Sequence, residues 1–170
     1  MDLALSDMRR LLSFPDPVNE VSARLVAAGV VVLCVATLAG ATWLLPLLAY
    51  GFVARVATGP TLSPLGQLVT RVVTPRLPVA PRPVPGPPKR FAQGIGATLS
   101  VTAAVLHVGF GATDPALILV GMIAVAATLE SAFGLCLGCR LFARLIDLGV
   151  IPPHACAACA DLRLHPSTTT

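Results

Sequence analysis

Long uncharged stretches dominate the chain and are separated by short polar segments. No charged side chain occurs for 30 positions in residues 25–54, for 23 in residues 91–113 and for 15 in residues 115–129. Apolar runs of about 18 or more residues are typical of membrane-spanning helices. The pattern therefore predicts an integral membrane protein. We expect no cleavable signal peptide, because six charged residues interrupt the first 20 positions.

Four spans arranged as two helical hairpins fit these lengths. As a single helix, residues 25–54 would be about 45 Å long, against a hydrocarbon core of about 30 Å. A turn at residues 39–42 resolves this conflict, and Arg24 and Arg55 would then snorkel at the same membrane face. The predicted spans are residues 21–38, 43–57, 91–110 and 116–137. The predicted fold class is thus an all-α membrane protein with four transmembrane helices.

The segment between the second and third spans is predicted to lie at the membrane surface. Ser63 can cap an amphipathic interfacial helix over residues 64–74, because Pro64 suits its first turn. Seven prolines among residues 75–88 then predict an extended linker. The chain thus divides into an N-terminal segment (1–20), a membrane domain (21–148) and a Cys/His-containing tail (149–170).

Composition and charge agree with the membrane class and orient the chain. Hydrophobic residues make up 55% of its 170 residues and charged residues 12%, and the mean hydropathy is +0.83. In the four-span topology all 12 Lys and Arg lie on one side, and Asp114 is the only charge on the other. The positive-inside rule then predicts a multi-pass protein of the inner (cytoplasmic) membrane, with both termini cytoplasmic and contacts to anionic lipid. No aromatic stacking platform accompanies the basic residues, so we expect no nucleic-acid partner.

Cys136 and Cys139 form a Cys-x-x-Cys pair at the predicted cytoplasmic end of the fourth span. On a helix this spacing places the two Cα atoms about 5–6 Å apart, within disulfide range. In an intracellular setting the pattern indicates redox or metal chemistry. A helix C-terminus opposes a thiolate, whereas the neighbouring Arg140 favours one. The alternative is that both cysteines are small apolar side chains packed in a helix.

The tail contains a second pair, Cys156 and Cys159, flanked by His154 and His165. Together the pairs have the spacing C-x2-C-x16-C-x2-C, which lies in the range of zinc ribbons. One hypothesis is a structural zinc site with Cys136, Cys139, Cys156 and Cys159 as ligands. A second is dithiol exchange between the pairs, and a third is a tail that acts independently.

Glu130 lies within the predicted fourth span, where a carboxylate is costly and is a candidate functional group. On a continuous helix Cys136 and Cys139 fall roughly 120° and 180° away from Glu130. We therefore expect no direct proton transfer between Glu130 and the thiols. The alternative is a protonated Glu130 that is hydrogen-bonded to Ser100 or to a hydroxyl group of another span and has a purely structural role. Glu130 is also the feature that suggests a permease.

Three stretches resemble one uncharacterised family of bacterial membrane proteins, domain of unknown function 4395, found notably in actinobacteria. They are FVARVATGPTLSPL at residues 52–65, PKRFAQG at residues 88–94 and AFGLCLGC at residues 132–139. The resemblance covers roughly residues 16–145 and implies a four-helix membrane domain in which Cys136 and Cys139 match the family's cysteine pair. It also implies work beside thioredoxin-like or rhodanese-like proteins. Neither the tail pair nor Glu130 is part of the resemblance.

The leading hypothesis is a membrane protein that presents a cytoplasmic-side dithiol, Cys136 and Cys139, to a soluble partner. The dithiol would exchange electrons with a thioredoxin-like protein or sulfur with a rhodanese-like protein. The first alternative is a non-enzymatic protein with the four-cysteine zinc site, and zinc is the one cofactor that the sequence suggests. The second alternative is a permease for a small solute or sulfur anion.

Overall fold

The computed structural model describes residues 14–152 and Cys156, and the fold is mostly helical, at 76%. The α-helices are α1 (Glu20–Leu38), α2 (Leu45–Thr58), α3 (Pro64–Leu68), α4 (Gly86–Ala104), α5 (Thr113–Phe133) and α6 (Leu137–Asp147). Two π-helical turns follow α3 and α4, at Val69–Val73 and Val105–Gly109. Short 3-10 segments lie at Thr42–Leu44 and Thr74–Arg76. Strands β1 (Val18–Asn19) and β2 (Pro83–Val84) form an antiparallel pair.

Within the described part of the chain, three helical segments are long and apolar enough to cross a membrane. They are Glu20–Leu38, Gly86–Gly109 and Thr113–Phe133, and a shorter apolar helical segment covers Thr42–Thr58. Large apolar side chains stand out from these helices, including Val32 and Val108. Such surfaces are unfavourable in water and are matched by lipid. The protein is therefore a membrane protein.

The helices pack chiefly against partners distant in sequence. Helix α1 packs mainly against α5, α2 packs mainly against α4, and α4 also contacts α5 and α6. The hydrophobic core lies between these helices and includes Phe52, Val120 and the fully buried Cys34. Each helix of one predicted hairpin is thus held by a helix of the other hairpin, and the four apolar helices form one packed unit.

The N-terminal segment and the proline-rich linker meet at one end of this bundle. Val18 pairs with Val84, and the backbone N–H of Glu20 donates to the carbonyl oxygen of Arg82 at 2.8 Å. The Asn19 side chain caps α1 by accepting a hydrogen bond from the Val21 N–H at 3.0 Å. The linker is therefore extended, as its prolines predict, but it is fixed against the start of α1.

The clearest differences from the sequence prediction lie at two helix boundaries. Helix α4 begins at Gly86 rather than at residue 91, because Pro87 and Pro88 fit in its first turn, where no intrahelical N–H is needed. Helix α5 ends at Phe133 rather than at residue 137, because Gly134 adopts a left-handed conformation with φ of 68°. The second difference decides the geometry of the candidate site.

The segment predicted as an interfacial helix over residues 64–74 is helical. The Ser63 hydroxyl caps α3 by accepting from the Gly66 N–H at 3.2 Å. The chain continues through the π-helical turn Val69–Val73 into the 3-10 turn Thr74–Arg76. Gly66 fits closely here, since a Cβ atom at this position would lie 2.9 Å from the Pro60 Cα atom.

Candidate functional site

A sharp chain reversal separates α5 from α6. Gly134 ends α5 in the left-handed region, and its N–H donates to the carbonyl oxygen of Glu130 at 3.0 Å. The N–H of Leu135 reaches back to the carbonyl oxygen of Leu129 at 3.1 Å. This pair of bonds satisfies carbonyl groups that the helix end would otherwise leave open. Cys136 and Cys139 therefore do not continue α5.

Arg24 from α1 stabilises the same helix end. Its guanidinium group donates to the carbonyl oxygen of Ser131 at 3.1 and 3.2 Å and to that of Ala132 at 3.0 Å. A cation at a helix C-terminus also complements the negative end of the helix dipole. Helix α1 thus holds the reversal in place across the bundle.

Cys136 lies at the N-cap position of α6. Its Sγ accepts the backbone N–H of Cys139 at 3.4 Å, and the Sγ atoms of the two cysteines are 2.6 Å apart. The sequence prediction that the pair lies at a helix C-terminus is therefore wrong, because it assumed that α5 continues through Gly134. A helix N-terminus presents unpaired N–H groups and a partial positive charge, and both favour a thiolate.

The two cysteines have unequal acidity. The hydrogen bond from the Cys139 thiol lowers the pKa of Cys136, aided by the Lys89 charge and the Cys139 N–H, although burial and Glu130 oppose this. Donating that hydrogen bond, together with burial, raises the pKa of Cys139. Cys136 is therefore the more acidic thiol of the pair and Cys139 the less acidic one. Arg140, predicted to supply the nearby cation, is exposed.

Lys89 and Glu130 form an ion pair beside the dithiol. Lys89 Nζ lies 2.6 Å from Glu130 Oε1, and the two side chains are 10% and 14% exposed. The predicted hydrogen bond between Glu130 and Ser100 is wrong, since the Ser100 hydroxyl donates to the carbonyl oxygen of Ala97. An ion pair this deeply buried needs both partners, because either charge alone would be costly to bury.

Glu130 and Cys136 line one cavity of about 300 Å³. The helical projection that separated them is invalid, because the reversal at Gly134 turns α6 back over the end of the bundle. The cavity wall is otherwise mostly apolar and comes from α1, α2, α4, α5 and α6, with Gln93 as its third polar contributor. The structure therefore places the Glu130 side chain and the Cys136 sulfur on the wall of the same cavity.

Arg55 fixes the orientation of Gln93 behind the cavity. Its Nε donates to Gln93 Oε1 at 2.9 Å, its Nη1 donates to Ser63 Oγ at 3.2 Å, and its Cζ lies 4.5 Å from the centre of the Phe52 ring. Arg55 is only 5% exposed, so the prediction that it snorkels to the surface is wrong. Sequence reasoning missed this role and that of Lys89, although both residues lie within the quoted motifs.

The family model called Domain of unknown function (DUF4395) matches residues 18–146 of the chain. The chain belongs to this family. The matched region includes the dithiol and the Lys89–Glu130 pair, and it ends before Cys156. No curated protein and no solved structure matches the chain.

In this DUF4395 protein α6 is docked by a close backbone contact. A Cβ atom added at Gly138 would lie 2.5 Å from the Ala92 Cβ atom, so glycine allows α6 to approach α4 closely. Next to this contact the rings of Phe91 and Phe142 stack at a tilt, with centroids 5.4 Å apart. These contacts bring the N-terminus of α6, and hence Cys136, next to the Lys89 end of α4.

Cys156 is the tail cysteine that the structure describes. Cys156 is buried and disulfide-bonded, whereas Cys34, Cys136 and Cys139 are free thiols. Cys159, His154 and His165 lie outside the described residues. Among residues 14–152 and Cys156, no three or more His, Cys, Asp or Glu side chains are grouped as a metal site would require.

Proposed function

We propose that this DUF4395 protein is a four-span membrane protein whose Cys136–Cys139 pair exchanges two electrons with a soluble thioredoxin-like protein. One observation carries the proposal. The Cys136 sulfur caps the N-terminus of α6 and accepts hydrogen bonds from both the N–H and the thiol of Cys139. Dithiol oxidoreductases use this combination because it stabilises the attacking thiolate and keeps the second thiol close.

The chemistry follows from the unequal cysteines. The Cys136 thiolate attacks a disulfide of the partner, forms a mixed disulfide and expels the first partner sulfur as a thiolate. Cys139 then loses its proton, attacks the Cys136 sulfur and expels the second partner sulfur. The protein dithiol becomes a disulfide, and the partner disulfide becomes a dithiol. The same steps run in reverse when the partner dithiol is the reductant.

The distribution of charge supports a cytoplasmic site. The dithiol lies at the end of the bundle where Arg24 contacts the end of α5 and Arg90 donates to the Val56 carbonyl oxygen at 3.1 Å. Asp114 lies in the first turn of α5, at the opposite end. The positive-inside rule assigns the basic end to the cytoplasm, where a soluble redox partner can reach α6. The shorter Thr42–Thr58 segment acts as the fourth span.

The described contacts do not bring together the ligands that the predicted zinc site needs. It requires thiolates from both cysteine pairs, and Cys156 is disulfide-bonded. The dithiol interpretation needs only Cys136 and Cys139, which already contact one another. The described contacts therefore support dithiol exchange better than a zinc site.

Trapping of the mixed disulfide tests the assignment of roles. In a background with Cys156→Ser and Cys159→Ser, the purified protein is mixed with a thioredoxin whose resolving cysteine is replaced by serine and whose remaining cysteine carries a thionitrobenzoate leaving group. Cys139→Ser should accumulate a covalent complex through Cys136, because the resolving thiol is absent. Cys136→Ser should form at least tenfold less, and Cys34→Ser should behave like the background protein. Equal trapping by the two variants, or none by either, would contradict the proposal.

A further inference from the structure

The cavity beside the dithiol has the volume and the lining residues of a binding site for an apolar ligand. Its volume of about 300 Å³ lies at the lower end of the range of small-molecule sites. Apolar residues form nearly all of its wall, and the polar contributions come from Glu130, Gln93 and Cys136. An apolar wall with a few polar groups at one end fits a ligand with an apolar body and a hydrogen-bonding head.

Exposed apolar side chains border the cavity. Three large apolar residues of its wall, Met122, Leu137 and Leu141, are 54%, 47% and 46% exposed. In a membrane protein such exposed apolar side chains contact lipid chains rather than water. A ligand would therefore enter from the bilayer, and a soluble peptide or sugar would not.

The polar end of the cavity offers a hydrogen-bond donor beside a reducing group. Because Gln93 Oε1 accepts from Arg55 Nε, the Gln93 amide nitrogen is left to donate to an acceptor in the cavity. The Cys136 sulfur forms part of the same wall. A ligand that reacts here must accept a hydrogen bond, dissolve in lipid and take two electrons from a dithiol. A quinone has these three properties.

We infer that the cavity binds a lipid-soluble quinone, which oxidises the Cys136–Cys139 dithiol; this rests on the proposed dithiol function. The Cys136 thiolate adds to the quinone ring, and the ring takes up one proton from solvent. Cys139 gives up its proton and attacks the Cys136 sulfur, which breaks the sulfur–carbon bond and leaves its electron pair on the ring. The ring takes up a second proton and leaves as the hydroquinone. The dithiol loses two electrons and becomes a disulfide, which a partner dithiol can reduce again.

The test compares two oxidants on the reduced protein in lipid nanodiscs. A short-tailed benzoquinone should convert the pair to a disulfide with one hydroquinone formed per chain, at a rate that saturates with quinone concentration. Ala126→Phe fills the cavity wall and should lower this rate at least tenfold. Val125→Phe is the matched control, since Val125 is 61% exposed and lies outside the cavity lining. In Ala126→Phe the ratio of the quinone rate to the glutathione disulfide rate should fall at least tenfold, whereas in Val125→Phe this ratio should match that of the unsubstituted protein.

The outcomes separate the two claims. Equal quinone rates in Ala126→Phe and Val125→Phe, or a rate that rises linearly without saturation, would overturn the quinone site. Oxidation by glutathione disulfide without oxidation by quinone would do the same and leave the proposed function intact. Failure with both oxidants would overturn both.

A photoreactive azidoquinone on the unsubstituted protein gives a second measurement that is independent of variant folding. Labelling of cavity residues such as Met122 would support the site. Labelling confined to other surfaces would contradict it.

Discussion

Replacement of Lys89 by methionine should raise the pKa of Cys136. Lys89 is the cation that lowers the pKa of this thiol, and Glu130, held 2.6 Å from Lys89 Nζ, acts in the opposite direction. The variant therefore removes the favourable charge and leaves the unfavourable one without its partner. The hydrogen bond from Cys139, which is the largest cause of the lowered pKa, remains.

The expected change is at least about one pKa unit, since an opposite charge nearby typically shifts a pKa by about 1 to 3 units. One pKa unit corresponds to about 1.36 kcal/mol. It changes the thiolate fraction of Cys136 tenfold at a pH well below the pKa of both the unsubstituted protein and the variant. A thiol reacts as the thiolate, which exists above its pKa. The loss of reactivity should therefore be greatest below the variant's pKa and should disappear as the pH rises above it.

The assay is the rate of iodoacetamide alkylation at Cys136 as a function of pH, followed by peptide mass spectrometry on the reduced protein. Glu130→Gln is the matched control with the opposite sign, because removal of the carboxylate should lower the pKa of Cys136. The double variant Lys89→Met/Glu130→Gln removes the ion pair as a unit, which avoids an isolated buried charge costing about 3–5 kcal/mol. An unchanged pH profile in folded Lys89→Met, or a shift in the same direction for Glu130→Gln, would refute the reasoning.

Three further substitutions test how the site is built, each by thermal unfolding in detergent. Gly134→Ala should cost about 1–2 kcal/mol, because alanine is strained in the left-handed conformation; an unchanged melting temperature would contradict the reversal. Gly138→Ala should destabilise the folded protein by about 1–3 kcal/mol, because its Cβ would overlap Ala92. The same substitution should also change the rate of Cys136 alkylation, which a purely local effect at Gly138 would leave unchanged. Arg24→Met should cost about 1.5 kcal/mol through the loss of its bonds to the end of α5, whereas Arg24→Lys should recover part of this loss.

The long apolar helices could be predicted because side chains suited to lipid leave a simple signal in the sequence. The long uncharged stretches mark α1, α4 and α5, and the proline-rich segment marks the linker. Boundaries were harder to predict, since prolines both end helices and occupy their first turns. The proline pattern predicts that Pro87 and Pro88 belong to the linker, but they lie in the first turn of α4.

The site could be predicted only in part. The spacing of Cys136 and Cys139 predicted that their sulfurs would be close, and the structure agrees. Their position at a helix N-terminus depends on Gly134, and a glycine in an apolar run is compatible with either a close helix contact or a helix end. The ion-pair partner of Glu130 could not be predicted from residue spacing within one helix, because Lys89 lies 41 positions away in sequence.

The most direct test of the account is a redox titration of the Cys136–Cys139 pair in the full-length protein in nanodiscs. The protein is equilibrated with dithiothreitol buffers, trapped by alkylation and analysed by mass spectrometry, and zinc is counted in the same samples. We predict one reversible two-electron transition, with about 29.6 mV for each tenfold change in the disulfide-to-dithiol ratio, while Cys34 stays a thiol. A pair that never forms a disulfide, or about one zinc per chain with both thiols protected from alkylation, would contradict the account.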